Sequence, residues 1–289
     1  MCRQLCSGVR VSDQHADDPT AGWVPRGIDV SVPSVARMYD YYLGGKDNFQ
    51  SDREASDQLA AAAPGTQALA INNRRYLQRA VRVLARDYGV KQFLDHGSGL
   101  PTQDNVHQIA QSVHPEARVV YIDNDPIVLA HGRALLADNA TTTVITADMR
   151  DTDGVMGNPD VTRLIDFDQP VAALFVSVLH CIPDTDDPGG LLRRVVERLA
   201  PGSFVVVSHL VAEDDEVRER LSDFMLTATG GNWGRVRTAK EVAAFITEAG
   251  LEPLEPGLGE ASAWRPDGVD AAVQETTEWI EFGGVARKP

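Results

Sequence analysis

The stretch VKQFLDHGSGLPTQDNV, residues 90–106, decides the fold. Its apolar opening runs into Asp95 and His96, then into Gly97-Ser98-Gly99. Apolar residues at helical spacing follow. A short apolar strand that ends in glycines and hands over to a helix is the unit from which parallel α/β sheets are built. The glycines let the backbone approach a ligand without a Cβ in the way.

Four more apolar segments follow: ARVVYID (117–123), TTVITAD (142–148), VAALFVS (171–177) and SFVVVSH (203–209), with KQFLD (91–95) as the first of the series. Near-continuous Val, Ile, Leu and Phe predicts strands buried on both faces, as a parallel sheet requires. Helical stretches are expected over 102–113, 126–138 and 188–200. Later, EDDEVRERLSDFMLTATG and TAKEVAAFITEAG read as helices, the second opened by a capping box of Thr238 and Glu241. A weak strand near 251–256 and the terminal EWIEFGGVARKP suggest an antiparallel edge. The fold class is therefore α/β: a Rossmann-like, doubly wound sheet, mostly parallel, with an antiparallel C-terminal edge. Upstream, residues 1–25 read as a disordered tail and 26–89 as a helical N-terminal cap, leaving 90–289 as the sheet domain.

The chain has 289 residues, 43% of them hydrophobic, enough for a large core. No run approaches the ~18 apolar residues of a membrane span, and the start has no apolar signal region. The net charge of −15 repels nucleic-acid backbones and anionic membranes. Three cysteines without metal-ligand spacing predict neither a disulfide framework nor a metal site. These features suit a cytoplasmic protein.

In an open α/β sheet, ligands bind beyond the C-terminal strand ends. Here those ends carry Asp95, Asp123, Asp148, Ser177 and His209. Helix capping explains any one of them; three acids on the first three strands ask for more. A dinucleotide fingerprint would need a third glycine, which GSGLPT lacks, and Asp95 would repel a pyrophosphate. An acid suits a cation instead. S-Adenosylmethionine supplies a sulfonium, an ammonium, two ribose hydroxyls and an adenine amine. Asp123, beside Asn124, can accept from the hydroxyls. Asp148 can accept from the amine while the Met149 backbone meets the ring. Asp95, Gly97, Gly99 and Ser177 would complete the cofactor site.

The segments DHGSG, YIDNDP and TADMRD resemble those of class I S-adenosylmethionine-dependent methyltransferases. More closely, the chain is similar to the bacterial S-adenosyl methyltransferase family long catalogued as a domain of unknown function. ARMYDYYLGGKDNF, NNRRYLQRAV, FLDHGSGLPTQDNVH, VLHCIPD, WRPD and GGVARKP carry the likeness, in order, across residues 26–289. The resemblance implies a class I methyltransferase domain over 90–289, S-adenosylmethionine as cofactor and S-adenosylhomocysteine as product. It leaves the acceptor open.

In the cap, YDYYLGGKDNF reads either as a solvated helix end or as a lid over the cofactor, with Lys46 or Arg74 pairing the methionyl carboxylate. A lid that excludes water favours a small-molecule acceptor, in specialised metabolism. Should the acceptor need a base, His180 is the candidate, with His209 behind it; a structural role stands as the alternative for both. Two other readings remain at this point. One is a non-catalytic S-adenosylmethionine-binding or regulatory protein. The other is a nicotinamide-dependent oxidoreductase. Which atom is methylated, and the oligomeric state, are not written in the sequence.

Overall fold

A computed structural model describes residues 29–101, 104–135, 139–269, 271–274 and 278–289. The tail expected over 1–25 lies outside the described residues. Three helices come first: α1 (Val35–Tyr42), α2 (Gln50–Ala62) and α3 (Thr66–Tyr88). The alternating part runs β1 (Gln92–His96), α4 (Val106–Val113), β2 (Arg118–Asp123), α5 (Pro126–Leu135) and β3 (Thr142–Thr146). It continues through α6 (Thr152–Met156), α7 (Pro159–Leu164), β4 (Ala172–Val176), α8 (Pro188–Arg198) and β5 (Phe204–Val211). The last part holds α9 (Asp215–Ala228), α10 (Ala239–Glu248), β6 (Glu252–Pro253), β7 (Gly259–Glu260) and β8 (Ile280–Arg287).

The sheet order is β3-β2-β1-β4-β5-β8-β6, with β7 pairing β8. β1 to β5 are parallel, and β8 inserts antiparallel to β5 and β6. The sheet is the mixed, Rossmann-like one expected, antiparallel edge included. The order reverses between β1 and β4, so the crevice for a ligand opens beyond the C-terminal ends of those two strands. The short helices α6 and α7 fill the β3–β4 crossover, where the sequence reading placed none. Asp151 and Asn158 cap them through the Gly154 and Asp160 N–H groups.

The pleat divides the core. Phe93, Val119, Leu174 and Val206 face α3 and α4, whose Tyr76, Ala80, Leu84 and Ile109 cover them. Leu94, Val120, Phe175 and Val207 face α6, α7, α8 and α10. α3, read from the sequence as part of the cap, thus lies on the sheet. Its Tyr76 hydroxyl donates to the Val207 carbonyl at 3.1 Å. Arg79 donates to the carbonyls of Ala261, Ser262 and Trp264, tying α3 to the loop before β8. α1 and α2 pack Met38, Ala55 and Leu59 against Leu210, Leu221 and Met225, at the β5 end and on α9.

Gly283 of β8 is where backbone approach is tightest. A Cβ there would sit 1.9 Å from the Val207 carbonyl oxygen, and a backbone atom of a central strand cannot step aside. Gly283→Ala should therefore destabilise by ~3 kcal/mol or more in urea unfolding. Gly259, which pairs with Gly283, has open space at its Cβ position. Gly259→Ala should stay within about 0.5 kcal/mol of the parent.

Candidate active site

A cleft of about 800 Å³ opens at the C-terminal edge of β1, β2, β3 and β4. Its floor is made by Asp95, Gly97, Gly99, Asp123, Asp148 and Ser177. Its roof comes from Ser34, Tyr39 and Asp40 of the cap and from the loop Thr229–Trp233.

β1 shows how the pleat sorts the site. Asp95 points toward the α3 side, where Arg74 also lines the cleft; His96 points to the other side and stacks on Phe175, 4.4 Å between ring centroids. Burial pushes the Asp95 carboxyl up to about 7, with Arg74 opposing and Asp123 adding to the rise. A desolvated carboxyl of this kind holds its proton unless a cation beside it stabilises the carboxylate, so it is poised for a cation. Burial pushes His96 down to about 4, so it is a neutral core ring.

Gly97 and Gly99 both have left-handed φ angles, +68° and +65°. At Gly97 a Cβ would strike Val178, whereas at Gly99 it would meet nothing within 4 Å. The Gly99 N–H donates to Asp123 Oδ2 at 2.9 Å, and the Asp125 N–H donates to Asp123 Oδ1 at 2.9 Å. Burial raises Asp123, and these backbone donors partly offset it. Asp125 in turn caps α5 through the Ile127 N–H and accepts from Ser34 Oγ at 3.1 Å. Asn124 lines the cleft between them. Asp148 is gripped by Arg150, whose hydrogen bonds hold its carboxyl below the usual range. Arg150 reaches on to Asp186 at 2.5 Å, bridging the β3 and β4 loops. Met149 lies beside them on the cleft wall.

Comparison with known families places the chain. A family model described as S-adenosyl methyltransferase matches residues 21–289. The chain belongs to that family. Its cofactor is S-adenosylmethionine, and it is an S-adenosylmethionine-dependent methyltransferase. A crystal structure from Thermobifida fusca YX, of a protein assigned as a methyltransferase, is 42% identical with a TM-score of 0.82. The match covers 93% of this chain and 99% of that one. A DUF574 family protein from Streptomyces avermitilis MA-4680 is 38% identical with a TM-score of 0.81, covering 90% and 99% of the two chains. None of the curated proteins compared matches the chain.

One cleft brings together Asp95, Gly97, Gly99, Asp123, Asn124, Asp148, Met149, Ser177 and Arg74, the residues that the sequence suggests for a cofactor. Two residues fall elsewhere. Lys46 stands exposed at the tip of the cap turn and does not line the cleft. That turn is organised instead by buried Asp40, which accepts from the Asp47 N–H and from Asn48, and which leaves no room for a side chain at Gly45. His180 is 2% exposed, outside the lining, and packed against His209 and Trp233. Its Nδ1 accepts the Leu210 N–H at 3.2 Å. Burial, with His209 and Arg237 adding to it, pushes its basicity well below the ordinary range. This placement withholds a catalytic base from His180, because the ring meets no nucleophile and resists a proton. Burial, helped by Arg237 at 2.9 Å, holds His209 down to about 3.

The residues that close the roof were missed: Ser34, Arg37, Asp52 and Asp125, with Tyr39 and the Gly230-Gly231 turn. Asp52 is fully buried and takes hydrogen bonds from the Ser34 and Phe49 N–H groups and from Arg37 Nε at 2.8 Å. It joins the starts of α1 and α2, and Arg37 lies 4.0 Å from Asp125 at the rim of the cleft. Nothing in a linear motif pairs residue 37 with residue 52. Among the described residues no group of His, Cys, Asp or Glu is arranged to hold a metal ion, and no helix is long and apolar enough to cross a membrane.

Arg37→Ala would leave the buried Asp52 side chain without its guanidinium partner. It should cost about 3–5 kcal/mol in denaturant unfolding. It should also expose the α1–α2 segment to limited proteolysis ahead of global unfolding.

Proposed function

We propose that the chain methylates a small molecule enclosed in the cleft, as an enzyme of specialised metabolism. The observation that carries this reading is the roof. α1 and the Thr229–Trp233 loop face the strand ends across a space of about 800 Å³. That volume lies in the upper part of the ~300–1,000 Å³ range taken by drug-sized ligands, and so suits a cofactor together with a small acceptor. A macromolecular acceptor needs an open groove instead.

The residues fit the cofactor. Asp95 supplies a desolvated carboxyl for the ammonium end, with Arg74 beside it for the methionyl carboxylate. Asp123, its two oxygens aimed by the Gly99 and Asp125 N–H groups, retains acceptor capacity for the ribose hydroxyls. Asp148 and the Met149 backbone receive the adenine. S-Adenosylmethionine, when bound, supplies a methyl group already activated on sulfonium. The chain's share of the work is to align the acceptor with that methyl, exclude water and accept any proton released.

Incubation with S-adenosylmethionine and a library of small hydroxyl and amine compounds, read by mass for the gain of one CH2, tests the reading directly. Modification of proteins or nucleic acid in preference to every small compound would overturn it.

Cofactor affinity should also follow pH. An ammonium favours the Asp95 carboxylate, so binding releases a proton from a group raised to about 7. Affinity for S-adenosylhomocysteine should therefore fall between pH 7.5 and 5.5 by up to about 25-fold, and Asp95→Asn should flatten that dependence. Calorimetry in two buffers of different ionisation enthalpy reads the proton count. A flat profile in the parent protein would remove Asp95 from the ammonium.

A further inference from the structure

Ser177, Glu281, Ser208, Asn73 and Tyr39 come from five separate parts of the chain and meet at one corner of the cleft. Ser177, Asn73 and Tyr39 line it. The Ser177 N–H donates to Ser208 Oγ at 2.9 Å, which donates to Asn73 Oδ1 at 2.7 Å. Asn73 Nδ2 donates to the Tyr39 hydroxyl at 3.0 Å. The Ser177 hydroxyl is left for another partner: it donates to Glu281 Oε1 at 2.5 Å.

Two features of this corner call for a function. Ser177 has φ of +57°, a region where a side chain is disfavoured and glycine would sit without strain. The hydroxyl is thus held at the strand end against backbone preference. Glu281 is 4% exposed, and among the described residues its Oε2 has no hydrogen-bond partner. A buried carboxyl with a free oxygen is costly, and is kept where its proton affinity is used.

We propose that Ser177 and Glu281 take the acceptor's proton during methyl transfer, and that the acceptor is therefore a neutral O–H or N–H nucleophile. This rests on the small-acceptor reading above. The acceptor's lone pair forms the bond to the methyl carbon as the carbon–sulfur bond breaks, its electron pair remaining on sulfur. The acceptor's proton passes to Ser177 Oγ as the Ser177 proton passes to Glu281 Oε1; Glu281 releases it to solvent after product leaves. Ser177 is the catalytic residue, at the cleft wall. Glu281 acts through it.

The titratable groups facing Glu281 are Tyr39 from α1, Tyr76 from α3 and Cys181 from the turn after β4. β5 contributes neutral Ser208. Burial pushes all three titratable neighbours upward, so each stays neutral near pH 7. Burial, partly opposed by the neighbouring Ser177 and Ser208 hydroxyls, pushes Glu281 to about 7. Within this set only Glu281 changes charge near neutrality. Its carboxylate, and with it proton acceptance, is gained as pH rises through that value.

The test has two arms. Infrared difference spectra of the full chain with S-adenosylhomocysteine should show a protonated carboxyl band that disappears near pH 7. That band should be absent in Glu281→Gln and displaced in Ser177→Gly, a change that also relieves the backbone. Turnover is then compared for catechol, which must lose a proton, and for thiophenol at pH 8, where much of the probe is already thiolate. Glu281→Gln and Ser177→Gly should lower catechol turnover ~10²-fold more than thiophenol turnover and abolish its rise through pH 7, with cofactor affinity held in Glu281→Gln. Equal losses on both probes, a catechol profile unchanged by Glu281→Gln, or a Glu281 carboxyl that never titrates between pH 5 and 9 would overturn the proposal. The infrared arm needs no acceptor. A failure of the small-acceptor reading, seen as macromolecule methylation, is therefore distinguishable from a failure of the relay.

Discussion

The architecture of the site hangs on one carboxylate. Asp123 accepts the Gly99 N–H with one oxygen and the Asp125 N–H with the other, so it locks the glycine loop of β1 to the turn after β2. Both N–H groups would otherwise be left to solvent or to the ligand. Asp125 then passes the constraint outward. It caps α5, accepts from Ser34 and lies near Arg37, which pairs with buried Asp52 between α1 and α2. From sheet to roof this end of the cleft is one chain of charge-assisted hydrogen bonds, and such bonds are roughly twice as strong as neutral ones. The same bonds aim Asp123, so the constraint that shapes the loop also presents the carboxylate.

Desolvation then tunes what the acids can do. Asp95, Asp123 and Glu281 are all raised by burial, whereas Asp148 is lowered by the exposed Arg150. A raised carboxyl is stabilised by a proton or by a cation, and the cofactor of this family carries a cation. For the protein alone the sign follows. Asp95 and Glu281 hold their protons in the fold well above the pH at which they lose them in the unfolded chain. The stability each contributes is therefore full in acid and is lost as pH rises through about 7. A bound cation beside Asp95 recovers part of that loss.

The two histidines that attract attention in sequence sit on the wrong side of their neighbours for chemistry. His180 and His209 share a dry cluster with Trp233, Phe245 and Arg237, where an imidazolium would be both desolvated and repelled. The residue that can hold a proton at the cleft is instead a glutamate on the last strand, brought beside Ser177 because β8 inserts next to β5. A carboxyl so placed responds to pH near neutrality; the buried histidines do not.

Much of this was legible in the chain itself. The apolar strands, the glycine loop and the acids at Asp95, Asp123 and Asp148 are local patterns, set by side-chain period and backbone freedom within a few residues. They are enough for the sheet, the cleft and the cofactor. The short α6 and α7 were not legible, because five- and six-residue helices are too brief to show an apolar period. Nor were the places of Lys46 and His180. A turn tip and the residue after a strand look alike whether they face solvent, core or ligand, and only the pleat and the packing of α9 and α10 decide. Contacts such as Arg37 with Asp52, or Ser177 with Glu281 across 104 positions, exist solely because the fold closes on itself. The sequence determined which ligand chemistry the strand ends can take, since strand-end identity is local. The tertiary structure decided which groups share a dielectric and a proton, since that depends on distance in space.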